Sequence, residues 1–218
     1  MSINWNRYLA RYQQARGGIY FGGEDTYYDS QLVLTEGERS PLLVWFDSAP
    51  SGRCTSYNLR ARTMVELNGT YHLHIRESSL VGKGVVGVMG MMGKLEYGCP
   101  EATAGRIITT DNKEFTKKVL GDLDLRSSLQ RRKKDYLNIT PGPQQDGWHL
   151  VEVGAINFEG MMGGSDWIND AMVRDISLCR AEEVEGILKA GSAHFNAQMD
   201  GFLDFLRAAR QAVTAWRM

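Results

Sequence analysis

The chain has 218 residues, 43% hydrophobic and 23% charged, a balance typical of folded domains that excludes a disordered or fibrous chain. Lys and Arg number 25 against 26 Asp and Glu, so the formal net charge of −1 supplies no global field toward nucleic acid or an anionic membrane. This length allows one large domain or two small ones, with a core that needs no disulfide staple.

The first element reads as a helix. Trp5, Tyr8, Leu9 and Tyr12 fall at helical spacing, Ser2 or Asn4 can cap the start, and Gly17-Gly18 ends it. Segments 19–21, 31–35, 42–46, 57–67 and 71–75 are rich in β-branched and aromatic residues and predict strands, separated by short glycine-bearing turns. Such short gaps favour an antiparallel meander, because a parallel crossover needs about a dozen residues or more. Asn68-Gly69 is the sharpest hairpin signal and predicts that the strand ending at Leu67 pairs with the one starting at Thr70 or Tyr71.

Residues 81–94 then read VGKGVVGVMGMMGK, too rich in glycine for a stable helix or strand. A boundary is expected near 98–105, giving regions 1–98 and 99–218, or one continuous domain. Beyond it, 106–109 predicts a strand. Asp111 and Glu114 have capping-box spacing for a helix carrying Phe115, Val119 and Leu120, which Gly121 stops. Leu125 and Leu129 mark a second helix over 124–134. Strands at 136–140 and 148–153 flank a turn-rich stretch. A second Met/Gly loop at 160–164 leads to a short helix opened by Ser165 or Asp166. The C-terminus is expected to be helical from about Arg180, broken near Gly191 and recapped by Ser192.

Gly82-x-Gly84-x-x-Gly87 matches a dinucleotide-binding fingerprint literally, but that loop works only between a strand and a helix N-terminus, and the glycines beyond it forbid the helix. Gly93-Lys94 lacks the Ser or Thr of a phosphate-binding loop. No GxSxG elbow or HExxH helix occurs, and Cys54, Cys99 and Cys179 form no CxxC pair. No secretory leader and no apolar stretch of membrane-spanning length is legible, so a cytoplasmic protein with reduced cysteines is expected.

His72 and His74 lie two apart on an expected strand and share one face, with Glu77 beyond and His149 on another strand. Three imidazoles and a carboxylate form a donor set for a divalent transition metal. This His-x-His with a following Glu resembles part of the signature of the cupin family, a β-barrel fold. The glycine spacing before His72, the two-residue gap before Glu77 and the missing second motif depart from that signature. Plain strand alternation, with the imidazoles outward and Tyr71, Leu73 and Ile75 inward, explains the same residues. No metal or cofactor is therefore expected, and His72, His74 and His149 are the candidates if one binds.

Phe195, Met199, Phe202, Leu206, Ala209, Val213 and Trp216 repeat with spacing 4,3,4,3,4,3, and Leu203 and Phe205 widen the stripe. Such a stripe docks on the chain's own sheet or mediates self-association, so Phe195, Met199, Phe202, Leu206 and Val213 are candidate interface residues. The basic run Arg131 to Lys134 suits a helix C-terminus and is too small a patch for nucleic acid. The expected fold is α+β, with an antiparallel β-rich N-terminal half, a mixed C-terminal half and helices at both chain ends. The expected function is a non-catalytic intracellular binding or assembly module, with a protein partner or a second copy and no membrane. The alternative is a metal-dependent enzyme built on the His cluster.

Overall fold

A computed structural model of the chain describes residues 5–22, 30–51, 54–78, 97–143, 147–156, 158 and 180–216, with backbone alone for 48–51 and 54–56. The glycine loop at 82–93, the Met/Gly loop at 160–164 with the helix expected after it, and Cys179 lie outside these residues, as does the side chain of Cys54. The described strands are β1 (Ile19–Phe21), β2 (Gln31–Glu36), β3 (Arg39–Ser51), β4 (Cys54–Glu66), β5 (Leu73–Glu77), β6 (Arg106–Thr110), β7 (Tyr136–Pro141) and β8 (Trp148–Ala155). The described helices are α1 (Trp5–Arg16), α2 (Pro100–Thr103), α3 (Lys113–Val119), α4 (Leu123–Arg131) and α5 (Ala181–Thr214). The class is α+β, with antiparallel strand pairs and a helix at each end of the chain. Among the described residues, no helix is long and apolar enough to cross a membrane. Two compact units are formed, one by 1–60 with 155–202, the other by 61–154 with 203–218. The boundary expected at 98/99 falls inside the second unit.

In the first unit the strands follow the expected meander order β1-β2-β3-β4. β2 is antiparallel to both neighbours, with Ile19 opposite Val33 and Leu32 opposite Val44. Alternate side chains Leu32, Leu34, Leu42, Val44 and Phe46 are buried. The apolar side of α1 meets an aromatic cluster. The Trp5 ring lies 5.1 Å edge-on from Phe158 and 6.1 Å from Phe46, and the Tyr8 ring lies 5.4 Å from Phe195. Each such ring contact adds about 0.5–1.5 kcal/mol to the burial itself. Tyr12 donates its hydroxyl to Asp200 at 2.7 Å and Arg16 pairs with the same carboxylate at 2.7 Å, so α1 is tied to α5 by polar bonds as well. Gly18 turns the chain from α1 into β1 at φ +97°, where an added Cβ would lie 2.6 Å from the carbonyl oxygen of Val33. Only glycine fits that approach.

In the second unit the order is β4-β8-β7-β5-β6. The hairpin expected across Asn68-Gly69 is therefore not formed. Gly69 does turn the chain at φ 93°, but β8 and β7 lie between β4 and β5. The donors that a two-residue hairpin would pair are taken elsewhere: Leu67 N–H donates to the Gly147 carbonyl at 2.9 Å, and Tyr71 N–H donates to His149 Nε2 at 3.1 Å. A turn signal is local, whereas Leu137, Ile139, Val151 and Val153, all fully buried, bring strands from 70 residues on between the two.

The helices also depart from expectation in their caps. Asn112, not Asp111, caps α3 by accepting from Phe115 N–H at 3.0 Å. Asp122 caps α4 by accepting from Leu125 N–H at 2.9 Å. α5 runs unbroken through Gly191, and Ser192 donates its hydroxyl back to the Leu188 carbonyl at 2.5 Å instead of opening a new helix. An interior glycine costs only about 1 kcal/mol, less than the apolar stripe on either side of it gains by burial. Phe195, Met199 and Phe202 in the first unit, and Leu206 and Val213 in the second, are each 0% exposed within the single chain. As a correction to their candidacy as an interface, these side chains serve the chain's own core.

A buried charge cluster fastens β6 to the end of α4. Arg106 donates to the carbonyls of Leu129 at 2.9 Å, Arg132 at 2.6 Å and Asp135 at 2.8 Å, filling acceptors that a helix C-terminus leaves open. Arg132 pairs with Asp135 at 2.8 Å, with both side chains nearly out of contact with water, so the basic run 131–134 is not one exposed patch. Burial pushes the Asp135 carboxyl up to about 6, against the pull of Arg132 and Arg106.

Leu206→Ala should cost about 2–5 kcal/mol, and Leu206→Asp should leave the chain unfolded or aggregated, while Arg207→Ala stays within about 0.5 kcal/mol. Thermal melts by circular dichroism check all three. The Asp135 carboxyl has a folded pKa of about 6, above the unfolded value of about 3.9, so its contribution is full below the unfolded value and is lost as pH rises through the folded one. Urea unfolding of Asp135→Asn should therefore gain on the parent between pH 4 and pH 7, by on the order of 2 kcal/mol.

Candidate functional site

Alternation sorts the side chains of the second unit into an inner and an outer set. On β5 and the residues leading into it, Tyr71, Leu73 and Ile75 are buried, whereas His72 is exposed and His74 half-buried, as the alternating pattern predicts. The register then extends this outer face across the sheet. His74 stands opposite Thr109 of β6 and opposite Asn138 of β7, and Asn138 stands opposite Glu152 of β8. The result is a polar row, Thr109, His74, Asn138 and Glu152, crossing four strands.

Two polar groups are fixed, one in the row and one beside it. Glu152 accepts from Arg62 of β4 at 2.7 Å with one oxygen and from the Tyr136 hydroxyl at 2.8 Å with the other. The Tyr136 ring reaches that position because it lies across Gly154, its direct partner on β8. A Cβ at Gly154 would sit 2.0 Å from the ring. The same ring lies 6.4 Å from that of His74, tilted by 31°. The other fixed group is Asp111, just past β6. One carboxylate oxygen accepts the backbone N–H of His72 at 2.9 Å, and the other meets His72 Nδ1 at 2.8 Å. Burial alone would raise the Asp111 carboxyl, but the backbone and ring hydrogen bonds from His72 and its charge hold it below the ordinary carboxylate value.

His72, His74, Thr109, Asp111, Asn138 and Thr140 are among the residues that line an open pocket of about 290 Å³. Two of the imidazoles singled out in the sequence thus come together. The third does not. His149 is buried, accepts Tyr71 N–H on Nε2 and donates Nδ1–H to the Gly147 carbonyl at 3.0 Å. Both ring nitrogens are occupied, so a three-imidazole centre is not assembled. Among the described residues, no group of three or more His, Cys, Asp and Glu side chains converges to hold a metal ion. Cys99 is buried in its own helix start, and burial raises its thiol above the usual value, which leaves it a poor nucleophile.

Asp111, Asn138, Glu152, Tyr136 and Arg62 were not legible as site residues. Period-two alternation in 136–140 and 148–153 does place Tyr136, Asn138 and Glu152 outward, but only the register aligns them with His74. Asp111 has the sequence position of a helix cap, a task that its neighbour Asn112 performs. No protein-family model, curated protein or solved structure matches the chain.

The hydrogen bonds of His149 predict that its role is structural. His149→Ala should destabilise the chain by about 1–3 kcal/mol, because it strands the Tyr71 donor in the interior. Denaturant unfolding checks the loss, and unchanged stability would contradict the assignment.

Proposed function

We propose that the chain is a non-catalytic binding module of the cytoplasm, and that the outer face of β8, β7, β5 and β6 is the surface it offers to a protein partner. The observation that carries this reading is the polar row Thr109, His74, Asn138 and Glu152, set beside an open pocket. Its carboxylates are already engaged, Glu152 with Arg62 and Tyr136 and Asp111 with His72. Among the described residues, no Ser, Cys or Lys lines the pocket. Tyr, Arg, His and Asn on a fixed strand scaffold form a mixed surface of the kind that protein interfaces use. Three cysteines without a CxxC pair suit a reducing compartment.

A photo-crosslinking side chain placed at Asn138 tests the reading, with the same group at exposed Leu123 as control. A discrete protein adduct is expected in cells from position 138 and not from 123. An enzymatic turnover that resides in the purified chain and is lost in His72→Gln would overturn the proposal.

A further inference from the structure

Alternate residues on a strand stand about 7 Å apart at Cα, a span that two imidazoles can close by leaning onto one ion. His72 and His74 have that relation and line the same open pocket. The ring of His72 is not left to rotate. Asp111 accepts its backbone N–H and engages Nδ1, so in the neutral ring the lone-pair nitrogen is Nε2, which has no hydrogen-bond partner among the described residues. A carboxylate behind an imidazole in this way fixes the tautomer and makes the far nitrogen a better donor to a metal. The ring of His74 is set beside Tyr136, between Thr109 and Asn138 on the neighbouring strands.

We propose that His72 and His74 form an open two-imidazole site for a divalent late first-row metal ion, with Asp111 positioning the His72 ring. Water completes the coordination. Such a site favours ions that bind imidazole strongly and accept partial ligation by protein, in the order copper(II) above nickel(II) and zinc(II). This inference goes beyond the binding role proposed above and does not depend on it. His149 and Glu77 take no part in the site.

The test titrates protein without a histidine tag with nickel(II) and copper(II) in a calorimeter. The parent is run beside His72→Gln, His74→Gln, the double variant and Asp111→Asn, with circular dichroism confirming the fold of each. One equivalent per chain is expected, weakened about tenfold or more by either single histidine change and abolished in the double variant. Asp111→Asn should weaken binding about tenfold with no change in stoichiometry. Broadening of histidine ring proton signals by copper(II) should be confined to His72 and His74. Parent binding no tighter than that of the double variant would overturn the site, and binding unaffected by Asp111→Asn would overturn the role given to Asp111.

Discussion

Arg106 brings a full charge into the interior of the second unit, and its surroundings are arranged to receive it. Its guanidinium donates to carbonyls of Leu129, Arg132 and Asp135, the end of α4 and the link into β7. Burial alone would expel such a charge, and it draws the Arg106 guanidinium below its ordinary value. The planar fork of arginine satisfies several acceptors at once, which a lysine could not do. Edge strand β6, helix α4 and the start of β7 are thereby held to one another. The outer face of the sheet rests on that arrangement, because Thr109 and Asp111 reach His74 and His72 only if β6 keeps its place beside β5.

β5 is the strand on which the face depends. It pairs with β6 on one side and with β7 on the other, so each outward residue gains two cross-strand neighbours. His72 and His74 would be unremarkable on an isolated strand. Between Asp111 and Asn138 they become part of a fixed polar surface whose members restrain one another. Exposed ion pairs on such a surface contribute little to stability, at most about 1 kcal/mol each. Their consequence is orientation: Glu152 and Asp111 hold Tyr136 and His72 in single settings.

Much of the fold was legible because it is written in local pattern. The apolar side of α1, the alternation of Tyr71, Leu73 and Ile75 with the two histidines, and the stripe from Phe195 to Val213 all appear in the expected elements with those residues buried, whereas Trp216 at the end of the expected stripe is exposed beyond α5. What was not legible is pairing between distant segments. Asn68-Gly69 announces a turn truthfully, but the identity of the strand beside β4 is decided by buried apolar area on β7 and β8, far away in sequence. The candidate site fails to show for the same reason. His72 and Asp111 are 39 residues apart, and nothing near either of them names the other. The break expected at Gly191 reflects the opposite error, in which a local preference worth about 1 kcal/mol was set above the burial of a long helix face.

The stacking of Tyr136 on Gly154 has a consequence for how β7 finds β8. Alternation forbids a slip of one residue, since it would turn the apolar side chains to water. A slip of two keeps every side chain on its face, and alternation is blind to it. The glycine is not. Moving β8 by two residues either way brings Glu152 or Ile156 beneath the tyrosine, and each carries a Cβ where the ring must lie. A missing side chain thus acts as a keyway, admitting one pairing from a set that hydrophobicity alone would leave degenerate.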